Sequence, residues 1–391
     1  MKALRKLFDN IKPYVEEGGK FHAFHSLVDG FETFAFVPNR TSRVGGVNIH
    51  DAIDSKRIMS LVVIALLPAL LFGMYNVGYQ NALAAGQLAN TTCWDLFLYG
   101  FLAVLPKILV SYIVGLGIEF VVAQWKGEEI QEGFLVSGIL IPMIVPVTCP
   151  LWMLALAVAF SVILGKEIYG GTGMNIFNPA LITRAFLFFS YPSAMTGDNS
   201  VWVSSNTIFG TGFAAQPDAL SAATPLGEAA VKGFAGYEAE TIQNAIVGLI
   251  PGSIGETSVI AIALGAVLLL WTGVASWKTM LSVFVGGAAT GWLMQTTGLT
   301  AIQWYEHLVL GGFAFGAVFM ATDPVTSCRT ECGKYIYGLL IGFVAVMVRV
   351  LNPGYPEGMM LAILLLNLFA PLIDYGFVQR NIAMRAKRAS K

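Results

Sequence analysis

The chain has 391 residues, of which 56% are hydrophobic and only 12% charged, with 23 Lys and Arg against 24 Asp and Glu. Soluble domains carry about 25% charged residues, so this composition excludes an ordinary soluble fold, and a formal net charge of −1 leaves the information in where the charges sit. Apolar runs longer than about 18 residues recur, each long enough to cross a bilayer, so the chain reads as an all-α polytopic membrane protein.

Residues 1–56 form a charged N-terminal segment. In LRKLFDNIKPYV, Leu4, Leu7, Phe8 and Ile11 recur at helical spacing beside Lys2, Arg5 and Lys6. That pattern fits an amphipathic basic helix on a membrane surface or a partner, and equally a short solvated helix. The segment contains no early apolar core, so no signal peptide is expected. Ten spans follow, near 58–77, 106–125, 133–148, 150–166, 178–191, 246–270, 277–296, 306–322, 334–351 and 358–378. The third and fifth are short, and short or Pro-interrupted segments are tolerated at membrane depth only inside protein, where they often mark a site.

The bias of Lys and Arg sets the orientation. The basic N-terminus and the tail RNIAMRAKRASK (380–391) are expected in the cytoplasm, which requires an even number of spans. WKGEEIQEG, GKEIYGGTGMNIFN, SWK and SCRTECGK then fall inside, and 78–93, 192–245 and 297–305 outside. Arg349, at the outer end of a span, is the exception. The spans divide five and five, as 57–191 and 246–379 around the long outer loop 192–245. Odd halves must be inverted if they repeat. Each carries an Asx-Pro break, FNPA at 177–180 and TDPV at 322–325, and broken segments meeting near mid-membrane are how many transport proteins build a site.

The densest stretch is GGTGMNIFNPALITRAFLFFSYP (170–192). Gly170, Gly171 and Gly173 let the backbone approach a ligand. Asn175 and Asn178 offer paired donors and acceptors suited to a planar heterocycle, and Pro179 suits a first helical turn. The same residues also read as a capped helix start beneath a Gly turn. No G-x-G-x-x-G follows a strand, which argues against a Rossmann site. Asp323 ends an apolar span; at membrane depth an ionisable group is a functional candidate, with a helix cap as the alternative. Glu119 lies within a span, with no basic neighbour at i+4, and could meet a cation or a quinone head group or simply reach the inner interface. Glu256 in IPGSIGETS and Glu357 in NPGYPEGMM suit helix N-termini. Cys328 and Cys332 would share a face on one helix, but no second pair or His cluster completes a metal site; Cys93 and Cys149 read as small apolar residues. In DALSAATPLG the Thr224 hydroxyl is open to group transfer by another enzyme, or the stretch is a plain surface loop.

These motifs also carry a resemblance. DSKRIM, GGTG-N-NPAL--RAFLFF-YP, PGSIGE, HLVLGGFAFG--FMATDPV and NP-YPEGMMLAIL-NLFAPL-D occur in order along nearly the whole chain. Together they resemble the NqrB/RnfD family, whose members include the NqrB component of Na+-translocating NADH:quinone oxidoreductases. The resemblance implies two inverted five-helix repeats with a fold like that of urea and ammonium transporters. It implies FMN esterified through its phosphate to Thr224, where Asp218, Ser221 and Ala223 match the attachment signature and Ala222 replaces its usual Gly. It implies riboflavin held noncovalently by Asn175, Asn178, Pro179 and Asp323, and quinone or ion handling near Gly115 and Glu119, although Leu116 departs from a Gly often found there. The expected partners are the other subunits of a six-subunit complex, quinone, Na+, membrane lipid and a flavin transferase acting outside the cytoplasm. No nucleic acid and no metal are expected. The location implied is the bacterial inner membrane. An RnfD-type subunit of a ferredoxin:NAD oxidoreductase and a passive urea- or ammonium-like channel are the alternative functions.

Overall fold

The computed structural model describes residues 2–15, 24–25, 28, 32, 36, 55–127, 133–195, 201–214, 224–227, 241–352 and 357–389. Among them the backbone is helix and turn, with one isolated antiparallel bridge between Ile208 and Thr211. The N-terminal amphipathic pattern folds as α1 (Lys2–Val15). Its Phe8 meets Phe36 edge-on at 6.2 Å and its Lys12 pairs with Glu32 at 2.8 Å.

The first two membrane helices are longer than their hydropathy suggests. α2 (Ser55–Ala84) runs past the predicted end at residue 77 because the polar residues of its last turns are satisfied inside the protein. Asn76 Nδ2 donates to the Ile250 carbonyl at 2.8 Å, and Asn81 Nδ2 donates to those of Ser204 and Phe213 at 2.8 and 3.0 Å. α3 (Cys93–Lys126) begins well before the predicted residue 106. Thr92 and Asp95 close a capping box there, satisfying the first amides reciprocally. α2 and α3 touch through glycine: a Cβ on Gly100 would stand 1.7 Å from the Met74 carbonyl oxygen, and one on Gly78 1.9 Å from that of Leu96. Such small-residue contacts let helix backbones approach in lipid.

The short third and fifth spans are the helices α4 (Phe134–Ile144, 11 residues) and α6 (Pro179–Ser190, 12 residues), on either side of α5 (Leu151–Gly165). After the long loop 192–240 come α7 (Thr241–Val247), α8 (Val259–Trp271) and α9 (Trp277–Thr296). The predicted span 306–322 is a broken element. α10 (Glu306–Val309) leads through Gly311 in the left-handed region (φ 64°) to α11 (Phe313–Phe315), which widens into a π-turn over Gly316–Met320. α12 (Glu331–Leu351) and α13 (Met359–Ala389) complete the chain.

Among the described residues, α2, α3, α12 and α13, and α5 together with the turn that carries it on to Tyr169, are long and apolar enough to cross a membrane, while α4, α6 and α8 are shorter apolar helices. One apolar core runs through both halves, from Leu66 and Phe134 to Phe313, Tyr337 and Ile363. Outward faces carry exposed Ile113, Val267 and Leu372, and exposed tryptophans mark helix ends, with Trp94 71% exposed at the start of α3, Trp125 86% exposed at its finish and Trp271 87% exposed closing α8. Amphipathic rings at those levels form the interfacial belts of membrane proteins.

Candidate functional site

The two Asx-Pro breaks, 145 residues apart in sequence, meet. Asn178 caps α6: its Oδ1 accepts from Ala180 N at 2.9 Å while Pro179 fills the first helical position. Its Nδ2 reaches across and donates to Asp323 Oδ2 at 3.1 Å. Asp323 also accepts from the amide of Val325 at 3.0 Å and the hydroxyl of Thr326 at 3.1 Å. Asn175 braces the preceding turn, accepting from Gly173 N at 3.3 Å and donating to the Phe177 carbonyl at 2.9 Å. Gly170, Gly171 and Gly173 all have φ between 90° and 113°, a conformation closed to side-chain-bearing residues without strain.

These residues line a partly open cavity, with Asn175, Asn178, Pro179 and Asp323 beside Lys166, Thr172, Ser137 and Thr322. The rest of the lining is largely apolar, from Ile58, Met59 and Val62 of α2, Leu269 and Val274 around the end of α8, and Phe319 of the π-turn. Such a mixed lining suits a small ligand with an apolar body and a few directed polar contacts. Thr172 Oγ1 is buried in this lining with no hydrogen-bond partner in the protein, a polar atom left for a ligand to meet. The cap and ligand-wall readings of Asn178 are compatible, since one residue serves as both.

Glu119 lies apart from this lining and buried on α3, where its carboxylate pairs with the ammonium group of Lys166, each side chain 4–5% exposed. A cationic partner therefore exists 47 residues along the chain, on the turn after α5, where the i+4 search could not find it. Lys166 itself faces the cavity, so Glu119 reaches the site through it. Gly115, one turn earlier on α3, packs under the Phe134 ring; a Cβ there would stand 1.9 Å from the ring. Gly115 too lies outside the cavity lining. Thr224 lies far along the chain at a short turn, half-buried, its Oγ1 accepting from Gly227 N at 3.1 Å. Asp218, Ser221, Ala222 and Ala223 lie outside the described residues.

A second charged cluster was missed. Arg184 of α6 donates to Glu256 Oε1 at 2.8 Å and pairs with Glu357. The two glutamates thus converge on one guanidinium rather than each serving a helix N-terminus. The available signal was Arg184 itself, a single charge in the apolar run ALITRAFLFF, which at membrane depth warrants a search for its partner. Arg349, the exception in the charge map, is fully buried and donates to the carbonyls of His307 at 2.7 Å and Leu310 at 3.0 Å. All four cysteines are free; Cys93 and Cys332 are exposed, Cys149 and Cys328 buried, and Cys328 precedes α12 rather than sharing a helix with Cys332.

A model of the NQR2, RnfD, RnfE family matches residues 44–383. Curated proteins named as the B component of Na(+)-translocating NADH-quinone reductase are similar over nearly their whole length. One from Chromohalobacter salexigens is 43% identical over 410 residues, covering 98% of this chain and 96% of that protein. One from Pseudomonas paraeruginosa is 41% identical over 413 residues, and one from Klebsiella pneumoniae 41% over 424, each covering 98% of this chain and 99% of the relative.

Proposed function

The chain belongs to the NQR2, RnfD, RnfE family, and from that membership we propose that it is the membrane electron-transfer subunit of an Na+-pumping NADH:quinone oxidoreductase. Bound flavins supply the redox chemistry, on a route from FMN on Thr224 to riboflavin in the cavity and on to quinone, coupled to Na+ export. The names of the relatives favour this over an RnfD-type subunit. The chain acts only within the assembled complex of six subunits, in the bacterial inner membrane with both termini cytoplasmic. A flavin transferase matures it from outside. Its ten spans form two inverted five-helix repeats of the urea- and ammonium-transporter kind.

The observation that carries the reading is the meeting of Asn178 and Asp323 on the wall of a cavity with both polar and apolar lining. Ile58, Val62 and Phe319 take the apolar part of the ring system and exclude water. Asn175, Asn178, Thr172 and Asp323 address its polar edge, and Pro179 fixes the helix start that aims Asn178. Lys166 places a positive charge on the same wall, held there by Glu119, which with Gly115 is the candidate for quinone or ion handling. Thr224 offers the hydroxyl for the FMN phosphoester, with Asp218 and Ser221 in the attachment signature.

The test is the full chain co-expressed with a flavin transferase and run on a denaturing gel. Wild type is expected to give a fluorescent flavin band and Thr224→Val none. The flavin released by denaturation before the gel is expected to fall in Asn178→Ala while the covalent band persists. Absence of both flavins from wild type overturns the redox reading in favour of a channel.

A further inference from the structure

Residues 224–227 make one short turn, and its third residue is anchored. Leu226 is 4% exposed and packs in a seat formed by Ala245, Ile250, Val309 and Leu310. The seat depends on Gly311: a Cβ there would stand 2.5 Å from Leu226 Cδ1, and its φ of 64° is one that side-chain-bearing residues rarely adopt. Arg349 sets the shape of this floor from beneath, holding the carbonyls of His307 and Leu310. The floor is also the beginning of the broken element 306–323. That element's other end supplies Phe319, Thr322 and Asp323 to the cavity.

We propose that Leu226 is a positioning residue, docking the Thr224 turn onto one end of the element whose other end walls the cavity. A group carried on Thr224 Oγ1 is then held at a fixed distance and orientation from a ligand in the cavity, through one continuous piece of buried backbone. Without the anchor the group stays attached but swings on a tether. The inference rests on the reading of Thr224 as the flavin-bearing residue.

The experiment uses the full chain, matured with a flavin transferase and purified in lipid nanodiscs. It reads the anisotropy and iodide quenching of the flavin fluorescence that Thr224→Val lacks. Truncating a buried leucine shifts the docked-to-undocked ratio by roughly 30-fold or more, so Leu226→Ala should lower the anisotropy and increase quenching with the covalent band unchanged. Leu226→Met, which refills the seat, should restore both values, separating anchoring from general misfolding. Gly311→Ala, which occupies the seat from the other side, should reproduce the Leu226→Ala result. Wild-type anisotropy and quenching in both Leu226→Ala and Gly311→Ala overturn the docking alone. Lack of covalent flavin in the wild type overturns the Thr224 reading and the docking with it.

Discussion

Replacing Arg184 by leucine removes the cation between two buried carboxylates. Arg184 is 3% exposed and Glu256 5%, and Glu357 is 16% exposed, so none of the three is relieved by bulk water. Removing one partner of a buried ion pair costs about 3–5 kcal/mol, because the charge left behind keeps its desolvation penalty. Here two carboxyl groups are left behind, and both press on the same spot: a Cβ on Gly312 would stand 2.8 Å from Oε1 of each glutamate. The loss should therefore reach the upper end of that range, about 5 kcal/mol. Replacing a whole buried ionic cluster by apolar groups of similar size is often neutral, so Arg184→Leu/Glu256→Leu/Glu357→Leu should recover most of the loss. The assay is unfolding of the purified chain by increasing mole fraction of SDS, followed by circular dichroism. A single variant as stable as wild type, or a triple variant no better than the single, would refute the reasoning.

Three further outcomes follow from the packing. Gly115→Ala pushes a methyl into the Phe134 ring and should cost about 1–3 kcal/mol as an overpacked core does, with Phe134→Leu in the same chain recovering part of it in the SDS titration. Lys166→Met strands the buried Glu119 carboxylate at a cost of about 3–5 kcal/mol; adding Glu119→Leu should bring the unfolding midpoint back, and a double variant weaker than the single would count against the pair. In intact cells a membrane-impermeant maleimide should modify Cys93 and spare Cys332, although both are exposed; labelling of Cys332 from outside would reverse the orientation. Cys149 and Cys328, both buried, should react only after denaturation.

Local chemistry made part of this legible. Asn-Pro and Asp-Pro force a helix start or a break wherever they occur, so Asn178 and Asp323 could be singled out before their 3.1 Å contact was known. The shortness of the third and fifth spans was equally visible, because hydropathy counts residues. What could not be read were pairings between distant residues: Glu119 with Lys166, or Arg184 with partners 72 and 173 residues away. Periodicity and capping describe neighbours in the chain and are silent about which helices meet. Asn76 and Asn81 misled for a related reason, since polar residues inside a helix look like its end until their buried acceptors are seen. One internal match was overlooked. Pro146-Val147-Thr148-Cys149 follows α4, and Pro324-Val325-Thr326-Ser327-Cys328 follows the broken element. These two stretches follow elements at the same place in the order of predicted spans, which FNPA and TDPV do not.

The tryptophans on α3 bear on the membrane the protein can inhabit. Trp94 and Trp125 stand about 45 Å apart along the axis at 1.5 Å per residue, close to the full thickness of a bilayer with its head groups, about 40–45 Å. With both rings at the head-group level α3 stands nearly upright. A thinner bilayer is met by tilt or by local deformation of the lipid, and because α3 packs against α5 the buried Glu119–Lys166 pair ties the two helices so that they answer the lipid together.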